Sequence, residues 1–78
     1  MHQFQSLQLV ESLEECPQLG VMKHLQLLNL QHNFITSIQH LSHLRRLVFL
    51  DLYDNHISHM TGIEALSSLR VLMLGKNK

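Results

Sequence analysis

A lone cysteine, Cys16, has no partner for an internal disulfide, which sets the expectation of a reducing compartment. Net charge is also missing. Six Lys+Arg cancel six Asp+Glu, so no overall field draws in nucleic acid or an acidic membrane. The start, Met1-His2-Gln3-Phe4-Gln5, has neither a basic region nor an apolar region of a signal peptide. No apolar run approaches the length of a bilayer span; Leu47-Val48-Phe49-Leu50 is typical of the longest. None of the asparagines at 29, 33, 55 and 77 lies in an N-x-Ser/Thr acceptor. A Gly-rich phosphate loop, a nucleophile elbow and an HExxH pair are all absent, and no paired carboxylates share a recognisable cleft. The expectation is a cytoplasmic protein without catalysis or cofactor, and without nucleic-acid or membrane partners.

What is there is a repeat. Leu25-x-x-Leu28-x-Leu30-x-x-Asn33-x-Ile35 returns as Leu47-x-x-Leu50-x-Leu52-x-x-Asn55-x-Ile57, and again as Leu69-x-x-Leu72-x-Leu74-x-x-Asn77. The period is 22 residues. Self-similarity of this kind marks a solenoid, in which each unit buries its apolar face against the next. Leu-x-Leu alternates with the period of a strand that buries one face, which predicts strands near 27–31, 49–53 and 71–75, with a weaker one near 6–9. Equivalent strands one repeat apart stack in parallel, so the fold class is α/β: a leucine-rich-repeat solenoid with a short parallel concave sheet.

The return paths read Ile35-x-x-Ile38-x-x-Leu41-x-x-Leu44 and Ile57-x-x-Met60-x-x-Ile63-x-x-Leu66. A three-residue spacing suits turns, 3₁₀ segments or a short helix on the convex side, with all these side chains pointing inward. Glu64-Ala65-Leu66-Ser67-Ser68-Leu69 is the best candidate for a short α-turn. Asn33, Asn55 and Asn77 each carry an amide able to donate and accept, and one per coil makes a structural ladder where the chain leaves the strand. The N-terminal frame Phe4-x-x-Leu7-x-Leu9 is offset from its successor by 21 residues, with Ser12 standing where the asparagine would be. The units are therefore a degenerate capping repeat over 1–24, full repeats over 25–46 and 47–68, and a truncated repeat over 69–78. An uncovered last strand is prone to self-association.

This frame resembles the short intracellular class of leucine-rich repeats, a class that includes a regulatory subunit of protein phosphatase 1. Closer similarity lies in Cys16-Pro17, in Gln31-His32-Asn33-Phe34-Ile35-Thr36, in Leu50-Asp51-Leu52-Tyr53-Asp54-Asn55 and in Leu69-Arg70-Val71-Leu72-Met73-Leu74-Gly75-Lys76-Asn77. These strings resemble the leucine-rich subunits of the tubulin polyglutamylase complex. The resemblance implies a non-catalytic scaffold on microtubules and the cytoskeleton, with tubulin-polyglutamylase subunits or tubulin as partners. A phosphatase-regulatory module is the alternative within the class; a solenoid fragment without its own binding function is another.

Partners dock on the concave face of solenoids. The frame lines up four rows there: Leu27, Phe49, Val71; Gln8, Asn29, Asp51, Met73; Val10, Gln31, Tyr53, Gly75; and Glu11, His32, Asp54, Lys76. The partner-binding candidates are Asn29, Gln31, His32, Phe49, Asp51, Tyr53, Asp54, Met73 and Lys76. Tyr53 leads them, because tyrosine is enriched at interface hot spots and Gly75 beside it leaves room. The bland reading is a ring that covers neighbouring backbone. Leu27, Phe49 and Val71 read either as a docking strip or as the edge of the core, with the core edge favoured. The pairs His40-x-x-His43 and His56-x-x-His59 invite a metal, but four ligands are not supplied. They are expected on outer turns, in water. Cys16 reads as a small buried hydrophobe, and Arg45-Arg46 as a solvated pair, with contact to an acidic tubulin tail as the alternative.

Overall fold

A computed structural model describes residues 3–78; the first two residues of the capping unit lie outside it. Four strands, β1 (Ser6–Gln8), β2 (Leu27–Asn29), β3 (Phe49–Asp51) and β4 (Val71–Met73), form one parallel sheet in the order β1-β2-β3-β4. Leu7, Leu28, Leu50 and Leu72 share one register, so the repeat period is the step from β2 to β3 and from β3 to β4, and the step from β1 to β2 is one residue shorter.

The regular strands are shorter than the sequence pattern predicts, yet the pairing is not. Leu30 and His32 N–H groups still reach the carbonyls of Asp51 and Tyr53, at 2.8 and 2.9 Å. Leu52 and Asp54 do the same to Met73 and Gly75, both at 2.8 Å. The side chains end the regular geometry. Asn29 Oδ1 accepts the N–H of Gln31 at 3.1 Å, and Asp51 Oδ1 accepts that of Tyr53 at 3.0 Å. Each acid or amide two residues upstream turns its own backbone, as short polar side chains do.

Inside the coil the leucine frame is closed to solvent. Leu25, Leu28, Leu30, Leu44, Leu47, Leu50 and Leu52 are all fully buried, and Ile35, Ile38, Leu41, Ile57 and Leu66 complete the core. Burying each such side chain is worth about 1.5–3 kcal/mol. Cys16 joins this core from the capping coil, with its thiol donating toward the Ser37 carbonyl. Met60 does not follow the predicted pattern. Its counterpart one coil earlier, Ile38, is buried, but Met60 is half-exposed in an open cleft beside Ile57, His59 and Leu74.

The convex side is made of turns and a single 3₁₀ helix, Ile63–Ala65, among the described residues. The α-turn expected over 64–69 is replaced by this tighter one. Gly62 at φ 94° starts the segment, and Leu66 N–H closes on Ile63 at 3.0 Å. A step of three residues from one inward-facing position to the next matches the pitch of a 3₁₀ turn better than that of an α-helix.

The capping coil differs by a deletion. Asn33 donates to the Leu9 carbonyl as Asn55 donates to that of Leu30, and Leu13 N–H meets Asn33 Oδ1 as Ile35 N–H meets Asn55 Oδ1. Three residues separate Leu9 from Leu13 where four separate Leu30 from Ile35. Ser12, at φ 58°, has the left-handed backbone of His32, Asp54 and Lys76. It follows Leu9 by three residues, as Asn33 follows Leu30, and so keeps the place of the asparagine given by the offset.

Candidate protein-interaction surface

The asparagine ladder fixes the edge of the concave face. Asn55 Nδ2 donates to Leu52 of its own coil at 3.1 Å and to Leu30 of the preceding coil at 3.0 Å, while its Oδ1 accepts Ile35 N–H at 3.0 Å. Asn33 does the same with Leu30, Leu9 and Leu13, and Asn77 with Leu74, Leu52 and Ile57. One amide therefore serves two coils, and the turns that carry His32, Asp54 and Lys76 are held in step. Leaving any of these buried groups unpaired costs about 1–3 kcal/mol.

On that scaffold sits a linked cluster. His32 Nδ1 and Asp54 Oδ2 lie 2.8 Å apart across two coils, with both side chains close to half exposed. The His32 ring meets the edge of Tyr53 at 5.8 Å between centroids and 88° between planes. The His32 hydrogen bond, aided by the charge of Lys76, holds the Asp54 carboxyl below the usual carboxylate range. Tyr53 itself lies over Gly75: a Cβ there would stand 2.8 Å from two ring carbons. The ring thus covers the neighbouring strand's backbone, as the bland reading has it, while remaining half-buried and accessible.

The other candidates divide by height. Asn29, Gln31, Phe49 and Asp51 are half-buried, and Met73 and Lys76 are exposed. Asn29 and Asp51 each spend one oxygen on their own turn, leaving the rest of the head group toward solvent. Leu27 and Phe49 are half-buried and Val71 is exposed, so this row grades from core edge to surface along the sheet.

Two features were not anticipated from the sequence. Phe34, half-exposed, meets His56 edge-on at 5.5 Å between centroids. The period that aligned the other rows aligns these two as well, so the signal was present. His43 was expected in water; it is half-buried, with Nε2 3.2 Å from the Leu19 carbonyl of the capping coil. His40 faces Glu15 at 3.7 Å. The histidine pairs thus split between coil contacts and solvent, and no group of three or more potential metal ligands converges among the described residues. Burial pushes the Cys16 thiol up from its ordinary pKa. A buried, protonated thiol is a poor nucleophile.

Residues 23–61 match the family described as Leucine Rich repeats (2 copies). Over 56 residues the chain is 53% identical to Leucine-rich repeat-containing protein 49 of Homo sapiens, covering 72% of this chain and 8% of that protein. Over 39 residues it is 57% identical to Leucine-rich repeat-containing protein 49 of Mus musculus, covering 50% of this chain and 6% of that protein. The chain therefore spans only a small part of the length of these curated relatives.

Proposed function

We infer the function of this chain from one premise: it belongs to the leucine-rich repeat family, whose coils serve as protein-interaction modules. The proposed activity is non-catalytic binding of a protein partner on the concave face. The observation that carries it is the cluster of Tyr53, His32 and Asp54. A half-buried aromatic is flanked there by a solvent-accessible histidine–carboxylate hydrogen bond and backed by the sheet, as interface anchors are. Phe49, Asp51, Met73 and Lys76 extend the same surface.

The finer reading is a scaffold subunit of the tubulin polyglutamylase complex, located in the cytoplasm on microtubules. Its support is the similarity of Gln31–Thr36, Leu50–Asn55 and Leu69–Asn77 to the leucine-rich subunits of that complex. Within that scaffold, residues 1–24 are the capping repeat and 25–46, 47–68 and 69–78 the units that follow.

The test is co-purification of the tagged chain with purified polyglutamylase subunits, comparing the native sequence with Tyr53→Ala at matched far-UV circular dichroism. Recovery that is lost in the variant supports both the partner and the surface. Equal recovery moves the site away from Tyr53. Recovery of none of the subunits, against recovery of a phosphatase catalytic subunit, favours the regulatory alternative.

A further inference from the structure

The formal charges cancel in number but not in space. Lys23, Arg45, Arg46 and Arg70 all lie on the turns that feed into the strands, where His24 also sits. Asp51 and Asp54 lie at or beyond the strand ends, and Glu11, Glu14 and Glu15 follow β1. One long edge of the solenoid thus carries four of the six basic side chains and no carboxylate from its own turns. All four are exposed, and none forms an ion pair with a carboxylate among the described residues.

The acids nearest in sequence are already engaged elsewhere. Asp51 turns to the Tyr53 N–H, and Glu64 turns back to the Gly62 N–H at 3.1 Å.

This edge has shape as well as charge. Gln26, Val48 and Arg70 are stacked coil on coil, with Val48 N–H on the Gln26 carbonyl and Arg70 N–H on that of Val48, each at 2.8 Å. Ser68 Oγ donates to the Arg45 carbonyl at 2.6 Å and ties the third turn to the second. Between these turns runs an open groove lined by Gln26, Arg46, Val48, Ser68 and Arg70. Arg46 and Arg70, from successive coils, line it together with the apolar Val48 and Leu69. Each guanidinium is a rigid fork that takes a carboxylate through two parallel N–H bonds.

We propose that this groove binds an extended acidic peptide, with Arg46 and Arg70 holding successive carboxylates and Lys23 and Arg45 adding longer-range attraction. The occupant is a peptide and not a nucleic acid for two reasons. No aromatic lines the groove to stack a base. Four cations also fall short of the phosphate contacts, about 6–10, of strong nucleic-acid binders. The site is separate from the concave cluster around Tyr53 and does not depend on what that cluster binds.

The test is fluorescence anisotropy of a labelled oligoglutamate peptide, titrated with the full chain at low and at physiological salt. Binding that weakens with salt, and falls about tenfold or more in Arg46→Glu/Arg70→Glu, is expected. Ser58→Glu/Thr61→Glu/Lys78→Glu makes the same change in net charge at exposed positions away from the groove and leaves binding within about twofold, as distant exposed charges are screened. If the reversal variant loses its far-UV spectrum, Arg46→Gln/Arg70→Gln takes its place, with the same direction of effect. No binding at low salt, or equal loss in the groove variant and the control variant, overturns the proposal. So does tighter binding of a single-stranded oligonucleotide of the same charge.

Discussion

Gly75 holds the place where Tyr53 lies. The two residues occupy equivalent positions on adjacent coils, and a Cβ at Gly75 would approach the Tyr53 ring to 2.8 Å. The glycine's backbone is not in the left-handed region, so alanine is allowed there by the chain and excluded only by the ring. Gly75→Ala is therefore expected to swing Tyr53 off the sheet without unfolding the coil. Tyr53 is the one tyrosine in a chain without tryptophan, so its intrinsic fluorescence and near-UV circular dichroism report the move directly. An unchanged tyrosine signal with native far-UV circular dichroism would show that the ring is not seated as described.

The asparagine ladder predicts an order of stabilities. Asn55 is buried and satisfies groups on two coils, whereas Asn77 is only part-buried. Asn55→Ala is expected to cost about 1–3 kcal/mol for each buried group that finds no substitute. Asn77→Ala should cost less, because water reaches the carbonyls it leaves. Urea unfolding of the two variants measures the difference, and equal losses would contradict the ladder's dependence on burial.

Gly62 tests the convex side. Its φ of 94° disfavours any Cβ, and one built there would collide with the carbonyl oxygen of Ile38 in the coil before. That oxygen is backbone in a buried coil and has little room to retreat. Gly62→Ala is expected to destabilise by about 1–3 kcal/mol, the range for enforced backbone strain. His40 holds the equivalent position one coil earlier at φ 65°, and His40→Gly should leave stability within about 1 kcal/mol of native. Thermal midpoints of the two variants decide the matter; similar midpoints would mean that the contact with Ile38 is not limiting.

The pair of His32 and Asp54 gives a pH dependence with a definite sign. The folded-state Asp54 pKa is lowered, first by the hydrogen bond from His32. Its contribution is therefore present above the ordinary carboxylate range and is lost as pH falls through the folded value. The pair is exposed, so the effect is small. Asp54→Asn should lower the thermal midpoint near neutral pH, with the gap from native closing as pH falls through and below the ordinary carboxylate range. A gap of constant width down that series would mean that Asp54 contributes through packing and not through its charge.

Much of this architecture was legible because a repeat repeats its constraints. Leu28, Leu50 and Leu72 share a register because each sits at the same place in a 22-residue unit, and one frame predicts all three. The concave rows followed from the same frame, and so did the side on which Asn33, Asn55 and Asn77 lie. Where the unit was irregular, counting failed. The deletion between Leu9 and Leu13 changes the offset from 21 residues, Leu9 to Leu30, to 22, Leu13 to Ile35, which no single period describes. His43 looked like a surface residue because nothing local to it says that Leu19 will be beside it.

The sequence by itself determined the coil: the alternation of leucines, one amide per turn, and a period that permits only parallel stacking. These are properties of a single unit, repeated, and a single unit is local in sequence. The tertiary structure decided what happens between coils. The seating of Tyr53 over Gly75, the contact of His32 with Asp54 and the gathering of Arg46 and Arg70 at one groove each join residues about one repeat apart. The pattern places such residues in neighbouring coils. How their side chains meet depends on rotamers, on the left-handed turns and on the packing beneath, which no single unit contains.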